Sequence, residues 1–295
     1  MLLTRFEEIC DFRETALDWS DPEGVHSMRV ASRRLRSALK DFMPYLRERG
    51  LTSVLKRVKD LGGALGEVRD QDVAILALEK IESQAPVALR PALQQLIEPR
   101  KELRDNAREN LKSKMSADQI KDLRSEFITR IERAASVDER RTKGKPAPVT
   151  FLEMSEAIIL ERLKELEDLS DCLFRPFGVE PLHDMRIAAK RLRYALELFQ
   201  QCWGRSIARY PRRMARLQSA LGEVHDCDVW IESIDELVGR AKKEKREDQV
   251  DALVWLLNHF IKLRTKHLRQ ALTRWREWEA HDASNKLRTL LSEKR

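Results

Sequence analysis

At 295 residues and 42% apolar composition, the chain is long enough for one large domain or two ordinary ones with real cores. Ten glycines and ten prolines are too few for an all-β chain of this length, whereas 36% charged residues point to long helices. Lys+Arg 56 against Asp+Glu 49 leaves a net charge of +7, a modest excess whose placement matters more than its size.

The predicted elements run as follows. Residues 2–19 read as a first helix, with Phe6, Ile9, Leu17 and Trp19 at apolar positions. Ser20-Asp21-Pro22-Glu23-Gly24 is a turn with helix-start chemistry. A helix follows to about Phe42, where Pro44 ends it. Residues 51–68 form the next, closing in LGEVRDQDV at 65–73, where Asp70 is placed to cap a helix over 71–83. Helices over 87–113 and 117–135 complete a first half, residues 1–135. Residues 136–149 carry Gly144, Pro146 and Pro148 without apolar periodicity and read as a linker. The second half, 150–295, repeats the order. A helical run spans Phe151 to Phe174, and Pro176 to Pro181 is a turn. Helices follow over 182–199, 205–223, 227–240, 246–278 and 283–293, with Asp226 placed as a cap like Asp70. No strand segment stands out.

The halves are tied by a repeat. VHSMRVASRRLRSALKDF at 25–42 returns as LHDMRIAAKRLRYALELF at 182–199, and LGEVRDQDV returns as LGEVHDCDV at 221–229. On a helix turning about 100° per residue, Arg29, Arg33, Arg36 and Lys40 fall within roughly 80° of His26. Met28, Ala31, Leu35, Ala38, Leu39 and Phe42 fall on the opposite side. Arg34 points off to the flank. The second copy sets His183, Arg186, Lys190 and Arg193 the same way, with Arg191 on the flank and Glu197 in the place of Lys40. A basic helix face is ordinarily only a solvated face. Such faces mix Glu with Lys to gain i,i+4 pairs, but these rows put like charges at i,i+3 and i,i+4. Repulsion accepted twice at matching positions asks for an anionic partner.

A third row, Arg205, Arg209, Arg212 and Arg216, is spaced 4, 3 and 4. Its first-half counterpart is patchier: Arg49, Lys56, Arg57 and Lys59, with Asp60 in the place of an arginine. Arg100, Arg104 and Arg108, and Lys262, Lys266 and Arg269 with His259, read as solvated surface. His26 and His183 are poor metal ligands, because the surrounding arginines repel a cation. Glu67, Asp70 and Asp72, with Glu223, Asp226 and Asp228, read as capping and turn geometry rather than an oxygen-ligand metal site. No P-loop, nucleophile elbow, HExxH, paired-Cys zinc site or ExExK arrangement is found. Cys10, Cys172, Cys202 and Cys227 form no CxxC and read as free thiols of a reducing, cytoplasmic setting. Arg5, Glu7 and Glu8 interrupt any signal-peptide pattern, and apolar runs such as Ala252 to Leu257 are too short for a bilayer. No cofactor, metal or membrane is expected.

The motif His26-x-x-Arg29-x-x-x-Arg33-Arg34-x-Arg36, its copy His183-x-x-Arg186-x-x-x-Lys190-Arg191-x-Arg193, and the LGxxxD segment after each resemble the CHAD family, the conserved-histidine α-helical domains. The resemblance covers roughly residues 1–280. It implies an all-α fold of two pseudo-symmetric helical bundles with a basic groove or pore between them. It further implies non-catalytic binding of inorganic polyphosphate and association with polyphosphate granules. The expected ligand contacts are His26, Arg29, Arg33, Arg34, Arg36, Lys40, His183, Arg186, Lys190, Arg191, Arg193, Arg209, Arg212 and Arg216. Glu197, Asp60 and His225 (opposite Arg69) depart from the symmetry, which predicts unequal halves. Two readings compete: a binder of nucleic acid or another polyanion, and a metal-assisted polyphosphate-processing enzyme. Against the first, Tyr194 is the only aromatic residue close to the signature cations, and no recognised nucleic-acid motif appears.

Overall fold

The computed structural model describes residues 1–46, 50–135 and 150–293, and all the regular structure in them is helical. Arg49 and the expected linker at 136–149 lie outside the described residues. The chain divides into two compact units, residues 1–146 and 147–295.

In the first unit the helices are α1 (Leu2–Asp11), α2 (Arg13–Leu17), α3 (Pro22–Phe42), α4 (Leu51–Gln84), α5 (Arg90–Gln94), α6 (Glu98–Lys114) and α7 (Ala117–Ala135). Asp21 caps α3 by accepting from the Glu23 N–H at 2.9 Å, and Pro22 opens its first turn. The apolar face of α3 behaves as its periodicity predicts: Met28, Ala31, Leu35, Ala38, Leu39 and Phe42 are all buried. Burying each large side chain is worth roughly 1.5–3 kcal/mol. Each like-charged pair on the other face costs only about 0.2–0.5 kcal/mol. Packing therefore holds the cations together despite their repulsion. α1, α2 and α4 pack on α3, and α4 also packs on α6 and α7. Phe6 stacks on Phe127 at 4.6 Å within this core.

The second unit contains α8 (Phe151–Asp168), α9 (Val179–Leu198), α10 (Gln200–Trp203), α11 (Arg209–Lys243), α12 (Glu247–Ala280) and α13 (Ala283–Ser292). Thr150 and Glu153 form a reciprocal capping box at the start of α8. α9 packs on α8 and α11, and α11 packs along α12. Met185, Ala188, Leu192, Leu196 and Phe199 are buried, as the repeat predicts.

Several sequence boundaries are corrected. The first helix is two, α1 and α2, and the stretch over 87–113 is divided into a 3₁₀ turn at Val87–Leu89, α5 and α6. α8 stops at Asp168 and a 3₁₀ turn follows at Ser170–Phe174. The largest correction concerns the LGEVxD segments. α4 and α11 run unbroken through them for 34 and 35 residues, so Asp70 and Asp226 are interior helical residues and not caps. Neither segment contains proline. Asp70, Asp72 and Asp228 find arginine partners on neighbouring helices instead, which offsets the modest helix preference of Asp.

Candidate functional site

In the first unit the basic row of α3 lies along its seam with α4. His26, Arg29, Arg33 and Arg36 are half-buried, whereas Lys40 is exposed. Two glycines of α4 face the row at i,i+4. A Cβ on Gly66 would stand 3.5 Å from Arg29 Nε, and one on Gly62 would stand only 2.8 Å from Arg36 Nη1. The long guanidinium side chains thus lie across a notch made by missing side chains. Arg29 Nη2 meets Asp70 Oδ1 at 3.3 Å, and Arg69, one residue before Asp70, meets Glu23 at 3.6 Å. Burial, and then the charge of Arg69, hold the His26 imidazole below its ordinary range. Its uncharged form therefore prevails near neutral pH. Arg34, on the flank of α3 by its spacing, is half-buried.

In the second unit α9 presents the corresponding row against α11. His183, Arg186, Lys190 and Arg193 are half-buried. His183 Nδ1 lies 3.1 Å from His225 Nδ1 on α11 and 3.5 Å from Arg186 Nη2. Burial lowers both imidazoles first, and Arg186 adds to it; His225 is held down to about 4. Arg193 lies over the Tyr194 ring at 4.7 Å and reaches Glu197 at 3.8 Å. Glu197 therefore draws on the end of this row, where Lys40 would extend it in the first unit.

Not every expected contact joins these rows. Arg191 is turned to α8, where it meets Glu165 at 3.4 Å. Arg205 falls in a 3₁₀ turn, Gly204–Ser206, and does not share the α11 face. Arg209 donates to the Tyr210 hydroxyl at 2.9 Å and lies over that ring. Arg212 and Arg216 are exposed one turn apart on α11, and neither makes an ion pair among the described residues. Pro211 sits in the first turn of α11, where proline costs no helical hydrogen bond. In the first unit Lys56 and Lys59 are exposed, but Arg57 is held by Glu126 at 2.7 Å and Asp122 at 3.0 Å.

Three acidic residues of the LGEVxD segments, Asp70, Asp72 and Asp228, are engaged by arginines, whereas Glu67 accepts from Asn110 at 3.2 Å and Glu223 faces His267 at 3.9 Å. Asp72 meets Arg108 of α6 at 3.6 Å, and the corresponding Asp228 meets Arg264 of α12 at 2.5 Å. Arg108 also lies over Trp19, and Arg264 donates to the Pro176 carbonyl at 2.7 Å. Arg100 donates to Gln71 at 3.3 Å, and Arg104 meets Asp105 at 3.3 Å. The arginines of α6, expected as solvated surface, are half-buried, and two of them, Arg100 and Arg108, reach across to α4. His259 stacks on Trp255 and meets Phe260 edge-on, while Lys262, Lys266 and Arg269 are exposed. Among the described residues no group of three or more His, Cys, Asp or Glu side chains is gathered as a metal site. All four cysteines are free thiols, and burial raises Cys10 and Cys172 to about 11 and Cys227 to about 12.

Sequence reading missed the Gly62–Gly66 notch and the contacts of Arg69 and His225 with the signature helices. The glycine spacing inside a helical run is a signal of close approach. The cross-helix contacts carry no local signal.

This arrangement can be set against known proteins. A CHAD domain family model matches residues 1–235. The crystal structure of the CHAD domain from the plant Ricinus communis is similar, with 23% identity and a TM-score of 0.68 over 93% of this chain and 88% of that one. PptA from Streptomyces chartreusis shares the fold at 16% identity, with a TM-score of 0.63 over 93% of this chain and 96% of that one. At such identities the likeness speaks for the fold alone. A comparison with curated proteins returned no sequence match. The family match spans both signature helices and both LGEVxD segments; on that match the chain belongs to the CHAD domain family.

Proposed function

We propose that the chain binds inorganic polyphosphate without catalysing its turnover, and that this binding directs it to polyphosphate granules. The observation that carries this reading is the repeated row: His26, Arg29, Arg33 and Arg36 on α3, and His183, Arg186, Lys190 and Arg193 on α9, each held by a buried apolar back. Polyphosphate is a flexible polyanion with no bases to read, so a fixed line of cations suffices. Arginine forks onto phosphate oxygens and lysine adds a point charge. Lys40, Arg212 and Arg216, exposed, supply further cations to a long chain. Asp70, Asp72 and Asp228 are engaged by Arg29, Arg108 and Arg264, which argues against their use as a metal-binding cluster for phosphate cleavage.

The test is calorimetric titration with long-chain polyphosphate for wild type and for Arg33→Gln/Arg36→Gln/Lys190→Gln/Arg193→Gln, with helical content followed in parallel. Expected is tight binding that weakens steeply with salt through counterion release, and that is lost in the folded variant. Unchanged binding by the variant would remove the rows from the site. Displacement of polyphosphate by duplex DNA or RNA at equal phosphate concentration would favour a general nucleic-acid binder. Phosphate release with Mg²⁺ or Mn²⁺ would make the protein an enzyme.

A further inference from the structure

We propose that His183 and His225 form a proton-linked contact that couples anion binding on the α9 row to pH, a coupling that the α3 row does not share in this form. This rests on the reading of that row as a phosphate site and specifies its regulation.

The two Nδ1 atoms are 3.1 Å apart, with ring centroids at 4.3 Å. Two ring nitrogens at that distance share one hydrogen: one donates and the other accepts. Arg186 Nη2 approaches the same His183 Nδ1 at 3.5 Å. A guanidinium can only donate. That makes His183 Nδ1 the acceptor: its one lone pair takes the His225 Nδ1–H at 3.1 Å, with Arg186 a long second donor at 3.5 Å, and His183 carries its own hydrogen on Nε2.

An added proton then has one place that breaks nothing, Nε2 of His225. It converts the contact to an imidazolium–imidazole bond, which is charge-assisted. Protonation of His183 Nδ1 would set two N–H groups head to head and oppose Arg186. The fields on the pair come from α9 and α11. Arg186 and Lys190 oppose charge on His183 and Asp184 favours it. Arg186 and His183 oppose charge on His225 and Asp228 favours it. From α12, Arg264 occupies Asp228 and so reduces its pull, and His267 faces Glu223 at 3.9 Å. Cations and burial thus suppress charging while the site is empty of anion. A phosphate chain lying on Arg186 and Lys190 offsets the cations' share of that suppression, and the pair takes up part of a proton from solvent. In the first unit Arg69 stands at the position of His225 and is charged at every physiological pH.

The experiment is polyphosphate calorimetry between about pH 8 and pH 5.5 in buffers of different ionisation enthalpy. It compares wild type, His225→Asn, which keeps a donor but does not titrate, and His225→Arg, which copies the first unit. Wild type should take up a fraction of a proton on binding, and its affinity should rise up to about tenfold per pH unit below pH 6. His225→Asn should lose that increment and keep only the smaller background from the remaining histidines and the ligand's own end groups. His225→Arg should bind more tightly than wild type near pH 7.5, with the same shallow profile. Imidazole ¹⁵N shifts should place the His183 hydrogen on Nε2. A hydrogen on His183 Nδ1, or wild-type proton uptake in His225→Asn, would overturn the coupling. Absence of any polyphosphate binding by wild type would sink the functional reading itself; binding without His225-dependent proton uptake would sink only the coupling.

Discussion

Gly62 of α4 lies directly under the guanidinium of Arg36 from α3: a Cβ there would stand 2.8 Å from Arg36 Nη1 and 3.1 Å from Ser32 Oγ. The atom in the way is the far end of a flexible side chain, so substitution moves Arg36 rather than the helices. Glycine in a helix interior costs about 1 kcal/mol relative to alanine. Gly62→Ala should therefore change unfolding free energy by no more than about 1 kcal/mol in either direction. It should weaken polyphosphate binding severalfold by displacing a row cation. Denaturant unfolding and calorimetry on the same protein separate the two effects.

Gly24 provides the contrast. A Cβ there would fall 2.0 Å from the Thr15 carbonyl oxygen, which is backbone of α2 and cannot rotate away. Gly24→Ala must push α2 off α3. It should destabilise the fold by about 1–3 kcal/mol, as overpacking does. A fall in urea midpoint at unchanged m-value would show it.

The two kinds of carboxylate–arginine contact should respond differently. Asp228 and Arg264 are both largely buried, at 9% and 13% side-chain exposure. Arg264→Met leaves a buried carboxylate without its partner, a change worth about 3 kcal/mol or more. Asp70 is 67% exposed where it meets Arg29. Asp70→Asn should alter stability by less than about 1 kcal/mol. It also frees Arg29 from a competing anion, and polyphosphate should bind severalfold more tightly. Thermal melts and titration of the two variants check both outcomes.

Acid should weaken the fold before the carboxylates titrate. His26, His183, His225 and His259 are all lowered, with burial the leading cause in each. A histidine held below its unfolded value favours the folded state fully only above about pH 6.5. That contribution is lost as pH falls from there toward the folded value, about 4 for His225. Discounted for solvent screening, the His225 share is on the order of 1 kcal/mol. The melting temperature should drop between pH 7 and pH 5, and His225→Asn should flatten part of the drop.

Much of the helical order was legible from sequence, because apolar spacing and capping chemistry are local. Asp21-Pro22 starts α3 where the turn chemistry placed it, and α3 ends at Phe42 ahead of Pro44. The rows on α3 and α9 were legible for the same reason: on a helix, spacing alone decides which residues share a face. The break expected at LGEVxD was wrong because Asp looks like a cap whenever its partner is out of sight.

What the sequence determined by itself was a helical chain with a repeated row of cations opposite a repeated apolar face, since both follow from 3.6-residue periodicity. Only the tertiary structure decided what each charged group meets. It turned Arg191 to Glu165 and Arg57 to Glu126, took Arg205 off its row, and put Arg108 and Arg264 on the acidic segments. It also set His225 against His183 and laid Arg36 across Gly62. These pairings join residues far apart in sequence. They depend on which helices pack together, at what depth and in what register, and no local pattern records that.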